Sequence, residues 1–253
     1  MGADADEAYV WLGVPDDFGP DACLSLCDGL AEVAERHAVA VLGGDVTRAP
    51  ALAVSVTAIG HGAPGRELLG RAGAADGDAL CVTGACGGAA AGLMLLEHPD
   101  LAGQVPKGAY ESAVERQLSP APRLAAGAAI AAAGGTAMID LSDGLGADAE
   151  HLAAASGLGI EIELERVPVA PGTAEAAAAS GRDPGELVVA GGEDYELLCA
   201  VPRGALADCA RAVEGAGCTL SEIGRFVPGS SVRIRLPGGR SVPPGGHDHL
   251  RAG

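Results

Sequence analysis

The sequence predicts a layered α/β protein of two domains. Three observations carry that expectation. Short apolar runs of strand length, such as "YVWLGVP", "ALCVTGA" and "TAMIDLS", alternate with alanine-rich stretches whose apolar residues recur at helical spacing. Glycine pairs follow apolar runs in "VLGGD", "ACGGA" and "VAGGED", which reads as loop punctuation after strands. In "GIEIELERVP" apolar and charged residues alternate, the pattern of a strand with one exposed face, so antiparallel patterning is mixed in.

The elements follow in order. Residues 9–15 read as a strand ended by Pro15, and 20–37 as a helix carrying Leu24, Cys27, Leu30, Ala31 and Val33 near helical spacing. Residues 38–45 read as a buried strand that delivers Gly43, Gly44 and Asp45 at its end, and 51–60 as a further strand. Composition then loosens over 61–78, which places a domain boundary near residue 62 and gives domains 1–62 and 63–253. A fresh series begins with strand 79–85 and the glycine-led helix 87–98. Two helical stretches flank "SPAPR" (119–123). Strand 136–142, helix 144–156 and the alternating strand 159–168 come next. An alanine-rich helix, strand 195–202, helix 203–216, strand 219–226 and a hairpin-like 231–242 complete the chain, before a tail "GHDHLRAG".

Composition narrows the function classes. The chain has 253 residues, enough for a sizeable core, and 48% hydrophobic residues exclude a disordered protein. Aromatic residues are only 2%, so that core must be built from Ala, Val, Leu and Ile. The formal charge of −18 repels a bare polyanion and argues against nucleic acid as partner. It does not exclude a nucleotide, because acids hold Mg²⁺ and the metal holds phosphate. The seven cysteines show no CxxC pair and sit mostly in apolar runs, as buried hydrophobes in a reducing compartment do. No stretch approaches a membrane span, and the acidic "MGADADEAY" is not a signal peptide, so the expected location is the cytoplasm.

Five polar clusters interrupt the apolar pattern: "GGDVTR", "GRAGAADGD", "VTGACGGAAAG", "DLSDG" and "GGEDYE". In "AMIDLSDGLGAD" an apolar strand ends in Asp140, Ser142 and Asp143, and a helix follows. Strand ends that open into helices are where α/β proteins place ligand groups, although Ser142 or Asp143 would equally serve as a helix cap. Should Asp45, Asp140 and Asp143 converge, Mg²⁺ is the natural mediator of their repulsion. Phosphoryl transfer would then ask for metal, positioning and in-line geometry rather than covalent chemistry. The glycines of "VTGACGGAAAGL" could offer amides to a phosphate at a helix N-terminus, or could serve close packing of helix on sheet. Neither a Walker A loop nor a G-x-S-x-G elbow is present.

In order, "VLGGDVTR", "GRAGAADGDALCVTGACGGAAAGL", "PAPRLAAG", "AMIDLSDGL", "LVVAGGEDYELL" and "IGRF" resemble the thiamine-monophosphate kinase family. That family shares a superfamily with aminoimidazole ribonucleotide synthetase, selenophosphate synthetase and a hydrogenase maturation protein. The resemblance implies the superfamily's two-domain architecture and ATP-dependent phosphorylation of thiamine monophosphate to thiamine diphosphate with Mg²⁺. The substrate phosphate would attack ATP directly, so no catalytic nucleophile is expected. By the same resemblance Gly44 and Asp45 fall at the nucleotide and metal position, Arg71 and Ser142 at ATP contacts, Asp140 and Asp143 at metal ligands, and Glu193 and the tail residue His247 at substrate contacts. A homodimer formed through the N-terminal sheet is implied as well.

This chain departs from the family pattern in three places. The pattern begins about 70 residues upstream, and Met1-Gly2-Ala3 matches an internal Met-Gly-Ala, so the chain reads as an N-terminally truncated version. Lost strands would expose sheet edges and favour aggregation. Val46 stands where the family has Thr, and "HDHL" replaces an aromatic followed by Asp-His-Phe. Two alternatives stay open at this point: a superfamily member with another acceptor, and a non-catalytic nucleotide-binding fragment.

Overall fold

The computed structural model describes residues 1–63, 67–236, 241–242 and 244–245. The fold is mixed α/β and divides into two compact units, Ala3–Arg66 and Met1–Gly2 with Glu67–Gly253.

The smaller unit is β1 (Ala3–Val14), α1 (Pro20–Arg36), β2 (Ala40–Arg48) and β3 (Ala53–Gly62). Its sheet runs in the order β2-β1-β3. β1 pairs with β2 in parallel, as a strand–helix–strand crossover permits, and with β3 in antiparallel fashion. The pairing with β2 shifts register between Ala8 and Tyr9. Beside that irregularity the backbones come so close that a Cβ on Gly44 would collide with the Val10 carbonyl, which explains glycine there. One expectation fails. β2 is not a buried strand ending at Asp45: it continues to Arg48, and all but one of its residues are exposed. An edge strand has one lateral neighbour, and α1, which buries no residue, covers it only in part. Tyr9 and Trp11 on β1 are each 39% exposed, so this sheet keeps an open apolar face.

The larger unit is a seven-stranded sheet in the order β10-β9-β6-β8-β4-β7-β5. The strands are β4 (Ala79–Thr83), β5 (Ala137–Asp140), β6 (Gly159–Glu163), β7 (Leu197–Val201), β8 (Leu220–Val227), β9 (Val232–Arg235) and β10 (Ser241–Val242). All pairs are antiparallel except β6 with β9. The period of two along β4 sorts its side chains onto two faces. Leu80 and Val82 enter a core with Ile139, Ile160 and Phe226, together with Leu145 and Leu152 of α6 (Leu145–Ser156) and Val188 of α8 (Pro184–Ala190). Ala79 and Cys81 face the other way, against Ile130 of α5 (Leu124–Ala132) and Cys209 and Val213 of α9 (Leu206–Gly215). A third core joins α2 (Gly88–Glu97), α4 (Lys107–Leu118), α7 (Thr173–Ser180) and α8 through Met94, Leu95, Ala113, Ala176 and Leu187. These cores are aliphatic, as the scarcity of aromatic residues requires.

Three local differences from the sequence reading have plain causes. β6 stops at Glu163, and Leu164–Arg166 form a 3₁₀ turn instead of continuing the strand, so that Val167 is buried. A short α3 (Pro99–Ala102) follows α2 directly. The run "LVVA" before Gly191 is the end of helix α8, not a strand. Pro184 occupies its first turn and Asp183 caps it, accepting the Gly185 N–H at 2.7 Å.

Candidate active site

The site is built where β5 hands over to α6. β5 is buried up to Ile139, and Asp140 at its end is exposed. Gly144, at φ 111°, occupies the cap position of α6 and has no side chain to cap with. The loop amides go to Asp148 instead. Its Oδ2 accepts the N–H groups of Ser142 (3.0 Å), Asp143 (3.0 Å) and Gly144 (3.2 Å). The capping role left open for Ser142 or Asp143 thus falls to a residue in the first turn of α6. Burial pushes the Asp148 carboxyl above the usual carboxylate range even though these three N–H groups pull it down. The Ser142 hydroxyl donates to Asp143 Oδ1 at 3.4 Å. One turn beyond Asp148, His151 Nε2 comes within 4.0 Å of Asp143 Oδ2. Ligand atoms of Asp143, Asp148 and His151 lie within 4.8 Å of one another, a donor set of the kind a divalent cation takes.

The segment Gly191–Glu196 lies alongside this loop and is stitched to it by backbone bonds. Glu193 N–H donates to the Ser142 carbonyl at 2.9 Å, Tyr195 N–H to the Leu141 carbonyl at 2.9 Å, and Leu141 N–H to the Glu196 carbonyl at 2.8 Å. Glu193 (φ 65°) and Tyr195 (φ 48°) take left-handed conformations that side chains other than glycine rarely adopt. Asp194 and Glu196, the alternate residues, are tied to the interior. Asp194 accepts the N–H groups of Gly87 (2.6 Å) and Ala89 (3.2 Å). These are the amides at the N-terminus of α2 that the sequence offered to a phosphate, so a side chain of the protein itself takes that position. Burial raises the Asp194 carboxyl to about 6, against the pull of those two amides and of Arg116.

Glu196 is fully buried and held by three hydrogen bonds from two residues. The Thr83 hydroxyl donates to its Oε2 at 2.7 Å, while Arg123 donates Nε to Oε2 at 2.8 Å and Nη2 to Oε1 at 2.7 Å. Thr83 in turn accepts the Leu197 N–H at 2.8 Å. Glu193 points outward, and its Oε2 accepts from Gln117 Nε2 at 2.7 Å. The Tyr195 phenol is pushed above its ordinary value first by burial and then by the charges of Glu193, Asp140 and Asp143. A pocket of about 430 Å³ opens here, lined by Ser142, Gln117, Glu193 and residues of α2 and α8.

The structure therefore brings Asp140, Ser142, Asp143 and Glu193 into one region of the larger unit. Arg71 belongs to the same unit, but its carbonyl accepts the hydroxyl of Ser156 at 3.2 Å, in the last turn of α6 and at the opposite end from Ser142. Within "GRAGAADGD", Asp78 is structural: its Oδ2 accepts the Ala75 N–H at 2.9 Å and the Thr136 hydroxyl at 3.2 Å. Gly44 and Asp45 lie in the smaller unit, midway along β2. Asp45 is exposed, and with Val10, Leu12 and Leu30 it lines a groove of about 410 Å³. His247 lies outside the described residues. Sequence reasoning missed Asp148, His151, Asp194, Tyr195, Glu196, Arg123 and Gln117. For Asp194 and Glu196 a signal was present, since both stand in the "GGEDYE" cluster from which only Glu193 was singled out.

Residues 75–237 match the family model of the AIR synthase related protein, C-terminal domain. The chain is 38% identical over 203 residues to thiamine-monophosphate kinase of Mycobacterium tuberculosis, covering 78% of this chain and 57% of that protein. It is 36% identical over 238 residues to the Methanopyrus kandleri thiamine-monophosphate kinase, covering 90% of this chain and 71% of that one. Among solved structures, AaThiL complexed with AMPPCP and TMP superposes with a TM-score of 0.85 at 30% identity, over 98% of this chain and 75% of that chain. This chain thus spans little more than half the length of the mycobacterial relative.

Proposed function

This chain belongs to the thiamine-monophosphate kinase family, and on that premise we propose that it serves the ATP-dependent phosphorylation of thiamine monophosphate to thiamine diphosphate. The observation that carries the reading is the joint presentation of Asp140, Ser142 and Asp143 at the end of β5, with Glu193 hydrogen-bonded to the Ser142 carbonyl. The carboxylates of Asp140 and Asp143 beside the Ser142 hydroxyl are the hard oxygen donors that Mg²⁺ takes. Asp140 and Asp143 would hold the metal, which would neutralise phosphate charge during transfer; Asp45 is proposed separately as a metal contact supplied by the smaller unit.

The protein's own groups do the rest. Ser142 and Arg71 of the larger unit would each contact ATP, and Gly44 is proposed as a nucleotide contact of the smaller unit. Asp148 fixes the loop by engaging three consecutive amides, so Ser142 and Asp143 are positioned before any ligand arrives. Glu193 would contact the acceptor. The acceptor phosphate would attack ATP directly and in line. Residues 1–62 and 63–253 would form the two domains, the first contributing nucleotide and metal contacts. The homodimer belongs to the same reading and is supported by the open apolar face carrying Tyr9 and Trp11. So does the cytoplasmic location; no helix among the described residues is long and apolar enough to cross a membrane.

The test is a coupled assay. The purified chain is given ATP and thiamine monophosphate, with and without Mg²⁺, and thiamine diphosphate is measured. Formation that needs Mg²⁺ and disappears in Asp140→Ala supports the reading. Full turnover by Asp140→Ala, or metal-independent transfer, would overturn the ligand assignment.

A further inference from the structure

Ser156 and Ser180 occupy the same position in their helices. Each is the last residue, of α6 and α7 respectively, and each precedes a glycine in the left-handed conformation, Gly157 at φ 67° and Gly181 at φ 70°. Ser180 bonds back to its own helix, as helical serines commonly do: its hydroxyl lies 3.1 Å from the Ala176 carbonyl and 3.0 Å from that of Ala177. Ser156 turns outward instead. Its hydroxyl donates to the Arg71 carbonyl at 3.2 Å and accepts the Ala74 N–H at 3.3 Å, partners 85 and 82 residues away in the chain.

These two bonds clamp the segment 71–74 at both ends. Fixed points flank it: the Gly70 carbonyl accepts the Met138 N–H at 2.8 Å, and Asp78 Oδ2 accepts the Ala75 N–H at 2.9 Å. Gly73, at φ 128°, runs so close to the Thr136 carbonyl that a Cβ would collide with it. The Arg71 side chain is exposed, and no ion pair among the described residues engages it. The path of its backbone therefore decides what the guanidinium can reach, since a long free side chain searches a large volume around its Cα. α6 is a firm base for the clamp. Leu145, Ala149, Leu152 and Ala153 are buried in the core of the larger unit, and Asp148 in the first turn holds the Ser142 loop. One helix thus fixes the Ser142 loop at its start and Arg71 at its end.

We infer that Ser156 is a positioning residue for nucleotide binding: it holds the Arg71 backbone, and through it the guanidinium, in a set relation to the Ser142 loop. This rests on the proposed function, which assigns Arg71 to ATP. It goes beyond that reading by naming a residue that touches no ligand and acts through Arg71.

Calorimetric titration of the full chain tests this, with the ATP analogue AMPPCP in the presence of Mg²⁺ and separately with thiamine monophosphate. Ser156→Ala should weaken AMPPCP binding about fivefold, the scale of one neutral hydrogen bond, and leave thiamine monophosphate binding unchanged. Ser156→Thr, which keeps the hydroxyl, should bind AMPPCP as wild type does, and so should Ser180→Ala, the matched helix end. On an Arg71→Ala background Ser156→Ala should have no further effect. Wild-type affinity for AMPPCP in Ser156→Ala would overturn the inference. So would an undiminished loss on the Arg71→Ala background, or an equal loss for thiamine monophosphate, since either marks a merely structural role. If Ser156→Ala does not fold, Ser156→Cys, close in shape and a much weaker hydrogen-bonding group, takes its place under the same criteria. Unchanged AMPPCP affinity in Arg71→Ala alone would remove the assignment of Arg71 to ATP and the inference with it. If wild type does not bind AMPPCP at all, the proposed function itself fails.

Discussion

Replacing Asp194 with asparagine should change how stability depends on pH. Asp194 sits at the N-terminus of α2, where a negative charge is ordinarily welcome. Here burial outweighs that benefit and raises the carboxyl from 3.8 to about 6. A folded-state value above the unfolded one means that the fold binds this proton more tightly. Its contribution to stability is therefore complete below 3.8 and is lost as pH rises through about 6. The interval between those two values corresponds to about 3 kcal/mol. Asparagine does not titrate, and other groups contribute alike to both proteins. The stability difference, wild type minus Asp194→Asn, should thus fall by about 2.4 kcal/mol between pH 4 and pH 7, since the unfolded carboxyl is already partly ionised at pH 4. Urea unfolding followed by circular dichroism at a series of pH values gives that difference. Carbon-13 carboxyl shifts, with the variant assigning the resonance, give the midpoint directly. A flat difference together with a midpoint near that of an ordinary aspartate would refute the reasoning, since it would mean that water reaches this carboxylate.

Other substitutions test the same framework. Glu196→Ala leaves Arg123 and Thr83 facing an empty buried space and should cost about 3 to 5 kcal/mol, whereas Glu196→Gln keeps part of the bonding and should cost less; thermal unfolding that ranks the two in reverse would contradict the network. Asp148→Ala strands the amides of Ser142, Asp143 and Gly144 and should cost about 2 kcal/mol in urea unfolding, with Asp148→Asn milder. Gly44→Ala drives a methyl into the Val10 carbonyl and should destabilise the smaller unit by about 3 kcal/mol or more; unchanged protease resistance of residues 3–63 would show that the two strands are not so close.

Much of the fold could be read from the chain because its strands are apolar and its turns are marked. "AMIDLSDG" announces a buried strand that ends in polar groups, and Asp140, Ser142 and Asp143 are found there. The helix "PGELVVA" was hidden by its two valines, which favour strands, although Asp183-Pro184 is a start signal that outweighed them. β2 looked buried from its apolar residues, but an edge strand under a loosely packed helix leaves them exposed. The inward turn of Asp194 and Glu196 was not legible. It depends on left-handed backbone at Glu193 and Tyr195, which no side-chain period encodes. The partners of Glu196 are equally remote: Thr83 lies 113 residues away in the chain, and such a pairing exists only after the sheet has formed. Asp148 stood in plain view in "LGAD", yet an acid in a first helical turn is so common that nothing marked it as the keeper of three amides.

The alternate tethering of Gly191–Glu196 has a dynamic consequence. Asp194 binds the start of α2, Glu196 binds β4 and the segment before α5, and the intervening backbone binds the loop that carries Ser142. None of these pieces can open while the segment stays in place. The amides of Gly87, Leu141 and Leu197, distant in sequence, should exchange with solvent deuterium at a common rate, as members of a single cooperative opening unit. Loops at ligand sites are commonly the first parts of a protein to breathe. Here the loop is bolted to three elements, so its protection factor should approach that of the sheet.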